Sequence, residues 1–160
     1  MSAYQDLKNS PGYISQLNRL EKCINFEFSE RQTYIDAFRT KDTLWWENEI
    51  ATTDVKIKIE KDSFTKDTYR RIKSFWGIAC YTLCKQAVME RNAKALNKIL
   101  SIYRKVEPEN ADMLYFSSFP PYWTGKNELT ISLLKTAIKA GFTDMNQLKK
   151  DFPETIRLKL

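Results

Sequence analysis

From Tyr13 to Trp76 the chain contains neither glycine nor proline. That gap constrains the fold more than any motif does. Tight turns draw on Gly for positive φ and on Pro for a preset φ, and an all-β chain needs a turn roughly every 8–12 residues. The whole chain of 160 residues holds only 4 Gly and 5 Pro. Long helices with polar connections are what remains. The length suits one domain, and the content predicts an all-α fold of six to eight helices, arranged as stacked antiparallel helical hairpins.

Apolar periodicity places the helices. Ser10-Pro11 provides a cap followed by a first-turn proline, and Ile14, Leu17, Leu20, Ile24 and Phe28 form one apolar stripe over 13–28. Ser29 and Gln32 are spaced as a capping box for a second helix over 30–39, and Asp42 caps a third that carries Trp45 and Trp46. Two adjacent Trp on a helix cannot both face inward. Thr52-Thr53-Asp54 interrupts the pattern. Val55, Ile57 and Ile59 then alternate with Lys56, Lys58 and Glu60, which is strand periodicity. No second strand is there to pair with it, so 55–59 reads as a short extended segment or as the start of a helix.

The strongest helix covers about 65–90. Phe64, Thr68, Ile72, Trp76, Cys80, Cys84 and Val88 form one ridge, and Phe75, Ala79, Leu83 and Ala87 the next. Two neighbouring ridges mean a wide buried face. Asn92 caps the following helix, in which Leu96, Ile99, Leu100 and Tyr103 face inward. A helix over 109–119 ends at Pro120-Pro121. Asn127 caps the last long helix, Gly141 stops it, Thr143 or Asp144 starts a short helix, and Pro153 opens a final turn.

Charge and chemistry then narrow the function. The net charge is +6, divided as 13 Lys+Arg against 12 Asp+Glu over 1–80 and 13 against 8 over 81–160. Arg91, Lys94, Lys98 and Lys105 make a basic stripe. Nucleic-acid surfaces add stacking aromatics to such a stripe; here none are interleaved, and a solvated helix face is the better reading. The chain has no histidine, which excludes Ser-His, Cys-His and His-metal sites, and no phosphate-cradling glycine loop is present. Cys23, Cys80 and Cys84 are an odd count without a CxxC, and a separation of four positions suits burial of Cys80 and Cys84 on one helix face rather than a disulfide. No cofactor or metal is expected. The uncharged run Ser74–Cys84 is too short to span a bilayer, and Met1–Leu20 carries no apolar leader core, so the expected location is the cytoplasm.

Two returning helices in the second half share a design. Ala95, Ile99 and Ile102 precede Pro108; Thr130, Leu134 and Ala137 precede Gly141; Ala95 and Thr130 lie 35 residues apart. That is close to the 34-residue period of tetratricopeptide repeats. Gly125, five residues before Thr130, stands where that family often turns between helices. The segment Leu134 to Asp151, with Ala137-Ile138, Gly141-Phe142 and Asp144, resembles the closing segment of bacterial tetratricopeptide-like proteins. The resemblance implies a non-catalytic scaffold with a protein or peptide partner, TPR-like hairpins over 63–160 and capping helices over 1–62. The other two readings are a basic nucleic-acid-binding protein and an enzyme that works without histidine.

Stacked hairpins place the first helix of each pair on a concave wall. Arg70, Arg71 and Lys73 fall early in one such helix, Tyr115 falls on the other, and Tyr122 and Trp123 follow in the adjoining loop. Cations beside aromatics suit an extended peptide with an acidic group or a free carboxylate. Only two units are visible where three are usual, so the N-terminal helices either cap the array, with Trp45 and Trp46 at one end of the groove, or the protein pairs with itself as a homodimer.

Overall fold

The protein is described from a computed structural model over residues 10–160. The opening residues 1–9, part of the stretch read above for a leader, lie outside the described ones. The described residues are all-α, with eight helices and a closing single turn: α1 Pro11–Thr40, α2 Thr43–Ile59, α3 Ser63–Met89, α4 Ala93–Val106, α5 Ala111–Phe116, α6 Phe119–Trp123, α7 Asn127–Lys139, α8 Met145–Asp151 and the turn α9 Glu154–Arg157. Among them no helix is long and apolar enough to cross a membrane.

The described residues gather into two compact units, 10–75 and Trp76–Leu160. The division falls inside α3. A helix of 27 residues is about 40 Å long, so its two halves bury side chains in different cores.

In the first unit, the two helices expected over 13–28 and 30–39 are one, α1. Ser29 does not cap a helix. With Glu30, Arg31 and Gln32 behind it and no Gly or Pro nearby, a single Ser costs a few tenths of a kcal/mol at about the propensity scale, too little to stop the helix. Ser10 does cap α1, its hydroxyl accepting from the Tyr13 N–H. The apolar stripe Ile14, Leu17, Leu20, Ile24 and Phe28 is exposed, Phe28 to 77%. Burial of its apolar side chains begins farther along, at Tyr34, Ala37 and Phe38, where Phe38 stacks on Trp46 of α2 at 4.3 Å. Trp46 is fully buried and Trp45 half-buried, as two adjacent Trp require.

The segment 55–59 is helical. The helix that starts at Asp42 continues through it to Ile59, and Thr53, within the expected interruption, is buried. Without a partner strand the alternation had no ladder to join. Local hydrogen bonding within the helix satisfies the same backbone.

The second unit has a denser core. Trp76, Cys80, Cys84 and Ala87 of α3 are buried, as are Leu96, Ile99, Leu100 and Tyr103 of α4, the inward face expected from its spacing. Asn92 caps α4 through the Ala95 N–H. The Glu107 carboxylate lies against Gly77, a place that has no room for a Cβ unless that carboxylate moves. The helix expected over 109–119 breaks at Ser117–Ser118, and Pro120-Pro121 starts α6 instead of ending α5. Proline cannot continue a helix but fits a first turn, where its missing N–H is not needed. The two serines seal the break: Ser117 Oγ donates to the Met113 carbonyl and Ser118 Oγ to that of Tyr115. Both α5 and α6 pack on α7. Helix α7 has Lys126, not Asn127, at its cap.

Three helix ends in this unit close in the same way. The N–H groups of Asn92, Lys126 and Phe142 reach back to the carbonyls of Ala87, Pro121 and Ala137. The residue before each, Arg91, Gly125 or Gly141, has positive φ. These are Schellman ends, with glycine at two and an arginine, at φ 52, at the third.

Candidate functional site in the second unit

The six residues expected to bind a partner divide between the units. The three cations, in the first, are all held in ion pairs. Arg71 Nε donates to Glu27 Oε2 at 2.6 Å and Arg31 Nη2 to Glu27 Oε1 at 2.5 Å, so one buried carboxylate holds two guanidinium groups. Lys73 pairs with Asp54 at 2.5 Å and Arg70 with Asp67 at 3.0 Å. Arg19 pairs with Asp62. The partners of Arg71 and Lys73 lie 44 and 19 residues away, where sequence spacing gives no sign of them, whereas Asp67, three residues before Arg70, is within reach on the same helix.

The three aromatics lie in the second unit. Tyr115, expected to be exposed, is buried, its ring stacked on Phe142 at 4.1 Å. It sits in a cluster with Phe116, Phe119 and Phe152, because the helix break turns this aromatic-rich stretch back onto α7. Tyr122 and Trp123 are half-buried, Tyr122 edge-on to Phe152 and Trp123 against Phe119.

Beside Tyr115 opens a cleft of about 350 Å³, built wholly from the second unit. Helix α3 contributes Tyr81, Lys85, Val88 and Met89. Asp112, Tyr115 and Phe116 come from α5, and Phe142 and Asp144 from the turn after α7. Helix α8 adds Gln147 and Asp151. Phe116 and Phe142 are buried behind it, and Met89 stands at its edge, 79% exposed. Other hollows, such as that beside Glu107–Asn110, are shallow and open to solvent.

The polar groups of the cleft are ordered by the helix ends. Asp144 caps α8, its Oδ1 accepting from the Gln147 N–H at 2.9 Å. Asp151 Oδ2 accepts from the Tyr115 hydroxyl at 2.6 Å and from Gln147 Nε2 at 2.9 Å. Burial, and then the hydrogen bond to Asp151, push the Tyr115 hydroxyl well above the ordinary phenol range, so it stays a donor. Asp112 has no hydrogen-bond or ion-pair partner among the described residues. Partial burial, and then the charge of Asp144, raise its carboxyl above the usual range.

Tyr81, Met89, Asp112 and Gln147 were not legible as site residues. Asp144 reads from sequence as a helix start, which it is, and its second role depends on what the turn faces. Among the described residues, no three His, Cys, Asp or Glu side chains converge as metal ligands do. The thiols of Cys80 and Cys84 are buried and pushed up by desolvation, Cys84 to about 12, so they are protonated core groups. No known family, curated protein or solved structure matches the chain.

Proposed function

We propose that this chain is a non-catalytic helical scaffold that binds a segment of another protein, and that the cleft beside Met89 is where the segment docks. The observation that carries this reading is the make-up of the cleft. Apolar walls, an exposed methionine and aromatic edges meet polar groups outside any ion pair, and such a mixture is typical of recognition surfaces. Methionine adapts its shape to varied partners. The resemblance to tetratricopeptide-repeat proteins carries the same expectation of a protein partner. The buried, protonated thiols of Cys80 and Cys84 and a lack of histidine leave few groups for covalent or proton-transfer chemistry. The cations of the earlier groove reading, Arg70, Arg71 and Lys73, are each paired with an acid of the first unit.

Oxidation of Met89 gives the test. Peptides selected from a displayed random library on the full chain are expected to compete with one another and to slow conversion of Met89 to its sulfoxide. Selected peptides that leave Met89 as reactive as in the free protein sink the assignment of the cleft.

A further inference from the structure

The charge of the cleft runs against that of the unit around it. Residues 76–160 hold 13 Lys+Arg and 8 Asp+Glu, a formal +5. Three of those acids, Asp112, Asp144 and Asp151, line the cleft, with Lys85 the one cation beside them, so its lining is formally −2. Among the described residues none of the three carboxylates is in an ion pair. Asp151 is engaged by Tyr115 and Gln147, and Asp144 by the α8 backbone. Asp112 is half-buried with no partner, next to the charge of Asp144. A carboxylate so placed is stabilised by an incoming cation more than by water.

The walls set a second condition. Val88, Met89 and Phe116 would take an aliphatic stem, which a hydrated ion does not have. At about 350 Å³ the cleft is at the small end of ligand sites, which run from about 300 Å³. One long side chain and its neighbours fit that description. We infer that the cleft accepts an arginine or lysine side chain of the partner polypeptide, its stem against Met89 and Phe116 and its charged head at Asp112 and Asp144. Long basic side chains bury their stems along apolar surface while the head meets charge. This rests on the docking reading above and gives its partner a chemical class, opposite to the acidic peptide that the sequence suggests.

The test uses the full chain, three capped pentapeptides alike except for a central arginine, norleucine or glutamate, and spermidine, followed by amide NMR. The arginine peptide is expected to shift the amides of Asp112, Asp144 and Gln147. The norleucine peptide should bind about fivefold more weakly or worse, and the glutamate peptide should leave the cleft unmoved. Asp112→Asn, which breaks no hydrogen bond, should weaken the arginine peptide by a similar factor and leave the norleucine peptide unchanged. Equal binding of arginine and norleucine would overturn the charge inference while the docking reading stood. If no peptide moves those amides, both fall. Spermidine binding as tightly as the arginine peptide would assign the cleft to a free polyamine and overturn the polypeptide partner.

Discussion

The two units handle charge in opposite ways. In the first, Glu27 holds Arg31 and Arg71, and three further pairs join Arg19 to Asp62, Arg70 to Asp67 and Lys73 to Asp54. In the second, none of the eight acidic side chains pairs with a cation among the described residues. Glu107 accepts from Asn110, Asp151 from Tyr115 and Gln147, and Asp112 from nothing. Apolar surface divides the other way. The first unit leaves the early face of α1 in water, while the second buries a nearly continuous run from Tyr115 to Phe119. The first unit thus commits several of its acids to internal pairs, whereas on the proposal above the unmatched acids of the second are held for a partner's cation.

The largest expected effect breaks the first half of that contrast. Glu27→Ala should destabilise the first unit by about 2 kcal/mol. That is below the 3–5 kcal/mol typical of removing one partner from a buried pair, because Arg31 and Arg71 are each close to half exposed. Hydrogen exchange should quicken in α1 and the first half of α3 and stay unchanged over 93–160. Uniform quickening would show that the units do not open separately.

A smaller effect sharpens the comparison within the second unit. Arg91 occupies the left-handed position that Gly125 and Gly141 fill at the sister helix ends. For a non-glycine residue that conformation costs about 1–2 kcal/mol. Part of this returns through the greater freedom of glycine in the unfolded chain. Arg91→Gly should therefore stabilise by about 0.5–1 kcal/mol in denaturant melts, and Gly141→Ala should destabilise by about 1 kcal/mol. A loss of stability in Arg91→Gly would mean that the side chain contributes more than its backbone strain costs.

The smallest effect concerns the cleft. The folded protein holds the Asp112 proton more tightly than the unfolded chain does, whose value is near 3.8. Stability from this group is thus fully present below the unfolded value and falls as pH rises through the folded one, the reverse of an ion-paired acid. Its charged neighbour is Asp144, it acts in turn on Tyr103, and the other titratable groups lining the same cleft are Tyr81, Lys85, Tyr115 and Asp151. Asp112→Asn should raise the melting temperature slightly at neutral pH and leave it unchanged in acid. A lower melting temperature at neutral pH would mean that the carboxylate has a stabilising partner.

Much of the helix map was legible because its signals are local. Ser10, Asp42, Asn92 and Asp144 act as the caps that their positions suggest, and Gly141 stops α7. The errors have physical causes too. Ser29 and the 55–59 alternation are weak local preferences that continuous helical hydrogen bonding overrides. Pro120-Pro121 marks a break, but sequence does not tell whether proline ends one helix or begins the next.

The sequence by itself determined an all-α class, since helical apolar spacing and a long stretch without the Gly and Pro that tight turns draw on favour helices over hairpins. Only the tertiary structure decided which apolar faces are buried, that α1 shows its stripe to water, and that Arg71 meets Glu27 across 44 residues. It alone assembled Asp112, Asp144 and Asp151 around one cleft. Capping and helix propensity act over three or four residues. Charge pairing and cleft formation depend on contacts between distant segments, and these exist only once the helices have packed.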